Sequence, residues 1–381
     1  MRTADITAAA WVGVLVAQTA ATLEASFPPA ANCTFMPNMD CQGGEDVAHM
    51  DTPDAASCCG QCEANARCTA FTWNGETCYM KNACSKLNPI GPPNVAGVMH
   101  KAPVNPNPCI GPLSMTVGGA PKTIGVMQDA GNSGTSKTDG AAFTLYHGGL
   151  KVHATETCGD HFTPGNFFFL KLLGKTLSYT VDLSNVSCGC NAAVYLTSMP
   201  GMQNATTPAA ASDFYCDANC ADGQPCCPEI DLMEANAHVS AATLHKCTFP
   251  YWDNPACDGG GYAQSTRDSA TGVADFGPGG HKVDTAKPFR ASHTFATDGK
   301  SLTGMQTSFV QAGGKGTVWL NHTDAGYMAS MDFAVKNPMV LTISLWGGAG
   351  GTMGWLDSPP CDATIACDPS AHATWQDFEI G

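Results

Sequence analysis

Apolar and polar residues alternate with a period of two over much of the chain beyond residue 160. The runs Phe167–Leu172, Ser178–Leu183, Ala192–Thr197, Ser308–Gln311, Thr317–Leu320 and Met339–Trp346 are separated by Gly, Asn and Asp turns, the pattern of half-buried strands. No recurring helical period intervenes, which argues against a βαβ sheet. The prediction is an all-β unit of two large antiparallel sheets packed face to face. In the last run Met339, Leu341, Ile343 and Leu345 make one apolar face, while Val340, Thr342, Ser344 and Trp346 make a mixed one. A tryptophan on that mixed face suits either ordinary packing or a flat surface for a ligand ring.

The N-terminal part reads differently. Arg2, an apolar stretch from Ile6 to Val16 and small residues through Ala25 give a secretory signal peptide over 1–25, cleaved between Ala20 and Ala25. No later stretch is long and apolar enough to span a bilayer. From 26 to 100 the pattern is short and mixed. Asp54–Glu63 reads as a helix, Arg67–Trp73 and Cys78–Lys81 as strands, and Asn74-Gly75 as the turn between them. The Pro-rich stretch 101–108 makes a stiff linker to the unit at 109–381.

Of 20 cysteines, eight lie between Cys33 and Cys84 and twelve between Cys109 and Cys367. Even counts on each side of the linker predict two separately bridged modules. The scatter favours an oxidised extracellular protein over zinc clusters. Only 13% of residues are charged, and 33 acids against 18 Lys and Arg give a net charge of −15. Nucleic acid and anionic membrane surfaces are poor partners for such a chain, whereas a neutral polymer is not repelled. Sequons at Asn32, Asn185, Asn204 and Asn321 suit surface glycans.

The chemistry concentrates in Cys226-Cys-Pro-Glu229-Ile-Asp231-Leu-Met-Glu234-Ala-Asn236. Glu229 and Asp231 share a strand face, and Glu234 joins it only if a bulge inserts one residue. The glutamates then lie about 13 Å apart at the backbone, and reach plus curvature brings their carboxyls to about 5–6 Å, the separation of a retaining glycosidase. Glu229 is the candidate nucleophile, Glu234 the acid/base, and Asp231 a hydrogen-bonding partner that orients Glu229. His245, eleven residues on, is a candidate sugar-binding or proton-tuning group. Scattered acids on a solvated strand edge are the competing reading.

Two resemblances follow. In the small module the Cys-x-x-Cys of Cys59 and Cys62, with Cys68-Thr-Ala-Phe71 and Cys78-Tyr-Met-Lys81, resembles the PAN/apple family, a disulfide-rich α+β fold that binds proteins or carbohydrates. The segment Cys226–Cys247 is similar to the signature of glycoside hydrolase family 7. There an E-x-D-x-x-E strand runs into Ala-Asn and then His-x-Cys, here Glu229, Asp231, Glu234, Ala235-Asn236 and His245-Lys246-Cys247. Three further stretches resemble the family in order. They are Thr180–Met199, Phe276-Gly-Pro-Gly279 with Val283-Asp-Thr285, and Ser344-Leu-Trp346 with Trp355-Leu-Asp-Ser358. The resemblance implies a concanavalin-like jelly-roll sandwich. It also implies Glu229 as nucleophile, Asp231 as assistant, Glu234 as acid/base, Asn191 and His245 in the groove, and Trp346 and Trp355 as sugar platforms. Arg267, in a Gly-rich loop, is a further candidate on the substrate side.

Departures qualify this. Unit 109–381 is short for the family, Gly347-Gly348 replaces an Asp pair, and Met233 stands where the family has Trp. Reduced loops imply an open cleft and internal cleavage. The expectation is a secreted, retaining, endo-acting β-1,4-glucan hydrolase, monomeric, needing no metal or other cofactor, with a polysaccharide substrate. The alternatives are a carbohydrate-binding or adhesion protein without activity, and a hydrolase or lyase of a different cell-wall polysaccharide.

Overall fold

The computed structural model describes residues 33–44, 46–65, 68–99, 108–129, 135–148, 150–202, 204, 208–209, 211–220, 225–249, 257–268 and 272–381. The signal peptide, Asn32 and nearly all of the linker lie outside them. Among the described residues no helix is long and apolar enough to cross a membrane. Two compact units appear, Met1–His100 and Lys101–Gly381.

The first unit is a five-stranded antiparallel sheet in the order Cys33–Pro37, Val95–Met99, Ala70–Trp73, Thr77–Lys81, Asp46–Asp51. Helix Ala55–Ala64 starts where the Asp54 side chain accepts the Ser57 N–H at 2.7 Å, satisfying a donor that the first turn leaves open. The helix cysteines carry the fold. Cys59 bridges to Cys33, Cys58 to Cys78 and Cys62 to Cys68, while Cys41 bridges to Cys84. Phe71, Met80, Val95 and Met99 complete a core too small to hold without those bonds.

In the second unit the sheet is not two separate ladders, as the strand pattern predicted, but one continuous one. Tyr262–Ser265, Ser240–His245, Glu229–Ala235, Cys190–Thr197, Met339–Gly347, Leu150–Thr155 and Ala120–Gln128 run in order down one layer. Cys109–Val117, His372–Ile380, Thr176–Asn185, Phe289–Thr297, Leu302–Val310 and Thr317–His322 continue into the other. The fold-over lies at Cys109–Val117, which pairs antiparallel with Ala120–Gln128 and parallel with Phe378–Ile380. Inward side chains of both halves, among them Leu177, Val194, Ile230, Phe295, Leu345 and Trp375, form one core. The result is the expected β-sandwich.

Three details depart from the sequence pattern. The expected strand Phe167–Leu172 shrinks to Phe169–Leu170, with Phe167 paired to Thr155 in an isolated bridge. A helix, Ala325–Lys336, was not anticipated. Asp324 caps it, and Met328, Met331, Ala334 and Val335 bury one stripe. Strand Met339–Gly347 is covered on both faces, with Val340, Thr342 and Ser344 buried beside Leu341 and Ile343. Its mixed face is therefore the floor of a site. The cysteines from Cys109 to Cys367 pair among themselves in six bonds.

Candidate active site

Strand Glu229–Ala235 carries the extra residue that the acid spacing called for. Against its neighbour, Val194 opposes Met233 and Tyr195 opposes Asp231, which leaves Leu232 unmatched. On the other side the register also shifts between Asp231 and Glu234. With Leu232 and Met233 both buried in the core, Glu234 returns to the face of Glu229 and Asp231. All three line one cleft of about 750 Å³. The solvated-edge reading of these acids is thereby excluded.

The registers lay out the cleft floor as rows across strands. Ser265, Ala241, Glu234, Ala193, Ser344 and Lys151 follow one row. Thr243, Asp231, Tyr195 and Thr342 form the next, and His245, Glu229 and Thr197 the one after. The two glutamates thus flank the Asp231 row from either side.

Each acid has its own fixed partner. Glu229 Oε2 accepts the Ala218 N–H at 3.0 Å, from a loop pinned by the Cys216–Cys227 bond. Asp231 Oδ2 lies 2.9 Å from His245 Nε2, so one of its oxygens is held by the imidazole. His245 Nδ1 lies 2.7 Å from the Asp258 carbonyl. Glu234 Oε1 accepts the Asn191 amide at 2.8 Å.

The protonation pattern follows. Burial, then the charges of Asp231 and Asp217, hold the Glu229 carboxyl well above the usual range. Burial and Asp231 push Glu234 up to about 8, against the Asn191 hydrogen bond. Burial opposes charge on His245, but its hydrogen bond to Asp231 and the charges of Asp231 and Glu229 raise it to about 10. The site at neutral pH is therefore an imidazolium–carboxylate pair between two proton-hungry carboxyls.

The other predicted residues divide. Trp346 and Trp355 line the cleft, and Trp355 is 49% exposed. Asn191 is fully buried; it stands behind Glu234 instead of on the groove surface. Arg267 lines the cleft, yet its Nη1 donates to the carbonyls of Leu356 at 3.0 Å and Ser358 at 3.4 Å, so part of its fork braces the wall. Gly347 explains the missing Asp pair, since a Cβ there would lie 2.5 Å from both Cys367 Cβ and the Gly189 carbonyl oxygen. The Cys190–Cys367 bond occupies that space.

Sequence reasoning missed Lys151, Tyr195, Tyr215 and Asp217, all of which line the cleft. Tyr195 was readable, being on the Asn191 face of its strand at the next-but-one position. Tyr215 and Asp217 flank Cys216, and its bond to Cys227, with the Cys227 N–H to Asp217 carbonyl bond at 2.9 Å, holds them near Glu229. Lys151 Nζ sits 4.5 Å from the Tyr215 ring centre.

A curved sandwich with a carboxylate-lined cleft across its floor is the architecture of a carbohydrate-active protein. Residues 162–225 match the sequence model of Glycosyl hydrolase family 7, and residues 33–99 that of the PAN domain. Endoglucanase EG-1 of Trichoderma longibrachiatum is 32% identical over 261 residues, covering 57% of this chain and 54% of that protein. Endo-beta-1,4-glucanase celB of Emericella nidulans is 31% identical over 270 residues, covering 54% and 63%. Among solved structures, an endoglucanase I complexed with cellobiose superposes with TM-score 0.57 at 18% identity, over 72% of this chain and 96% of that one. A family 7 cellobiohydrolase from Daphnia pulex gives 0.54 at 19%, over 71% and 96%. The chain spans 54% of the length of the Trichoderma relative. These findings support a glycosyl hydrolase family 7 protein that carries a PAN module.

Proposed function

We propose that this protein is a secreted, retaining, endo-acting hydrolase of β-1,4-glucan. The observation that carries the reading is the bulge at Leu232, which sets Glu229 and Glu234 on one face of one cleft, with Glu234 raised toward the proton affinity of a general acid. The endoglucanase names of the curated relatives favour a cellulose-like polymer.

In the first step the Glu229 carboxylate attacks the anomeric carbon while Glu234 gives its proton to the leaving glycosidic oxygen. The C–O bond to the leaving sugar breaks and a glycosyl ester to Glu229 forms. In the second step Glu234 takes a proton from water, the hydroxide attacks the same carbon, and Glu229 leaves. Two inversions give net retention. Asp231, held by His245, keeps negative charge beside Glu229. That charge raises the glutamates' proton affinity at rest and stabilises the oxocarbenium-like carbon in the transition state. Ten disulfides and the exposed sequon residues Asn185, Asn204 and Asn321 support an extracellular, glycosylated protein. The PAN module is assigned a carbohydrate- or protein-binding role on its family alone.

The test uses an activated aryl β-glycoside and mixed cello-oligosaccharides. E229A is expected to lose hydrolysis by about a thousandfold or more. E234A should lose less on the activated substrate, and azide should rescue it with a β-glycosyl azide as product. An inverted first product from the unmodified enzyme, or near-normal turnover by E229A, rules the assignment out.

A further inference from the structure

We infer that Asp357 is a positioning residue for the Trp355 end of the cleft, and that its buried carboxylate sets how tightly that end holds a sugar chain. The inference rests on the glycosidase reading only in that a sugar occupies the cleft.

Asp357 is 1% exposed. One oxygen, Oδ2, accepts the Gly189 N–H at 2.8 Å and the Asn236 amide at 2.9 Å. The first donor follows Cys188, whose disulfide partner is Cys361. Cys361 in turn donates its N–H to the Asp357 carbonyl at 2.8 Å. The second donor lies two residues beyond Glu234, and its own Oδ1 accepts the His238 N–H at 2.8 Å and the Val239 N–H at 3.2 Å. A single buried oxygen therefore joins the end of the catalytic strand, the Cys188 corner and the helical turn Gly354–Asp357.

That turn is what presents Trp355. Leu356 packs on Val239 and Ala241, and the carbonyls of Leu356 and Ser358 take Arg267 Nη1. Trp355 is half exposed in the cleft, so its ring owes its place to the backbone beneath it. Losing the Asp357 acceptor leaves the buried Gly189 N–H unpaired and the Asn236 amide with the Cys190 carbonyl at 3.4 Å, and frees the turn to shift, carrying the tryptophan with it. The glutamates keep their own partners, Ala218 and Asn191, so binding should suffer and chemistry should not.

The full chain would be prepared as wild type, D357A, D357N, W355A and W355A/D357A, and assayed on a cello-oligosaccharide long enough to fill the cleft. D357A should raise KM about tenfold with kcat within about threefold. D357N keeps an oxygen acceptor and should restore KM to within about twofold of wild type. In the W355A background D357A should add less than about twofold, because the two act through one contact. Equal KM penalties in both backgrounds, or a fall in kcat with KM unchanged, overturn the inference. Should D357A not fold, N236A, which removes one donor, takes its place in the same cycle. Acrylamide quenching of Trp355, taken as the difference from W355F, supplies a readout free of substrate. D357A should raise it, and no change would overturn the inference even if wild type binds no glucan. Wild type that neither binds nor cleaves the oligosaccharide defeats the glycosidase reading alone.

Discussion

His245 and Asp231 face each other on adjacent strands with 2.9 Å between Nε2 and Oδ2, and this pair sets the charge of the whole cleft. The imidazole is raised to about 10, so it stays cationic across the working range. Its charge lowers the proton affinity of both Glu229 and Glu234. In H245N that influence is gone and both carboxyls should hold their protons to higher pH. The kcat/KM profile should keep its bell shape, with both limbs about one unit more alkaline and its height lower. A variant with reduced height and unmoved limbs would assign His245 to sugar contact alone.

The same charges shape stability. Glu234 in the folded protein is raised to about 8 from an ordinary 4.5, and Glu229 is likewise held well above its ordinary value. Between those values the folded state binds more protons than the unfolded one, so stability falls as pH rises. His245 carries the same sign, its contribution present below its ordinary 6.5 and lost as pH climbs through about 10. Melting temperature should therefore decline from mildly acidic to alkaline buffer. E234Q has no proton to lose, so it should melt above wild type at pH 8 and match it near pH 4. Identical slopes for the two would contradict a raised Glu234. The activity profile should put its alkaline limb near 8, where Glu234 loses its proton.

Strand pattern alone predicted the sandwich, because alternating residues answer directly to a sheet with one buried face. Spacing alone called for the bulge, since three acids can share a face only when one residue is skipped. What the sequence hid were relations that need the third dimension. Asn191 reads as a groove residue in a linear motif, yet its side chain is fully buried and spends its amide on Glu234 once the strands pair. Tyr215 and Asp217 reach the cleft through the Cys216–Cys227 bond, and pairing among twelve cysteines is not written in their order. The helix Ala325–Lys336 was legible in Tyr327, Met328, Met331, Ala334 and Val335.

Gly261 provides a last test, since it bears on the site through His245, while its own N–H donates to Asp258 Oδ1 at 3.0 Å. Its φ is +63°, and a Cβ there would lie 2.5 Å from Thr243 Cγ2 and 2.7 Å from both Cε1 and Nδ1 of His245. Alanine therefore costs about 1–2 kcal/mol of left-handed backbone strain and also pushes the imidazole away from the Asp258 carbonyl that orients it. Gly260, next in line on the same cleft wall, has only Asp258 Oδ1 near its hypothetical Cβ, at 3.7 Å. G260A should leave kcat/KM and melting temperature close to wild type. G261A should lower the melting temperature by about 2–8 °C, reduce kcat/KM about tenfold and move the pH limbs in the direction of H245N. The shared shift is the discriminating outcome, because backbone strain alone lowers stability without moving a carboxyl's proton. If G261A loses stability but keeps the wild-type limbs, the glycine serves the turn and not the histidine.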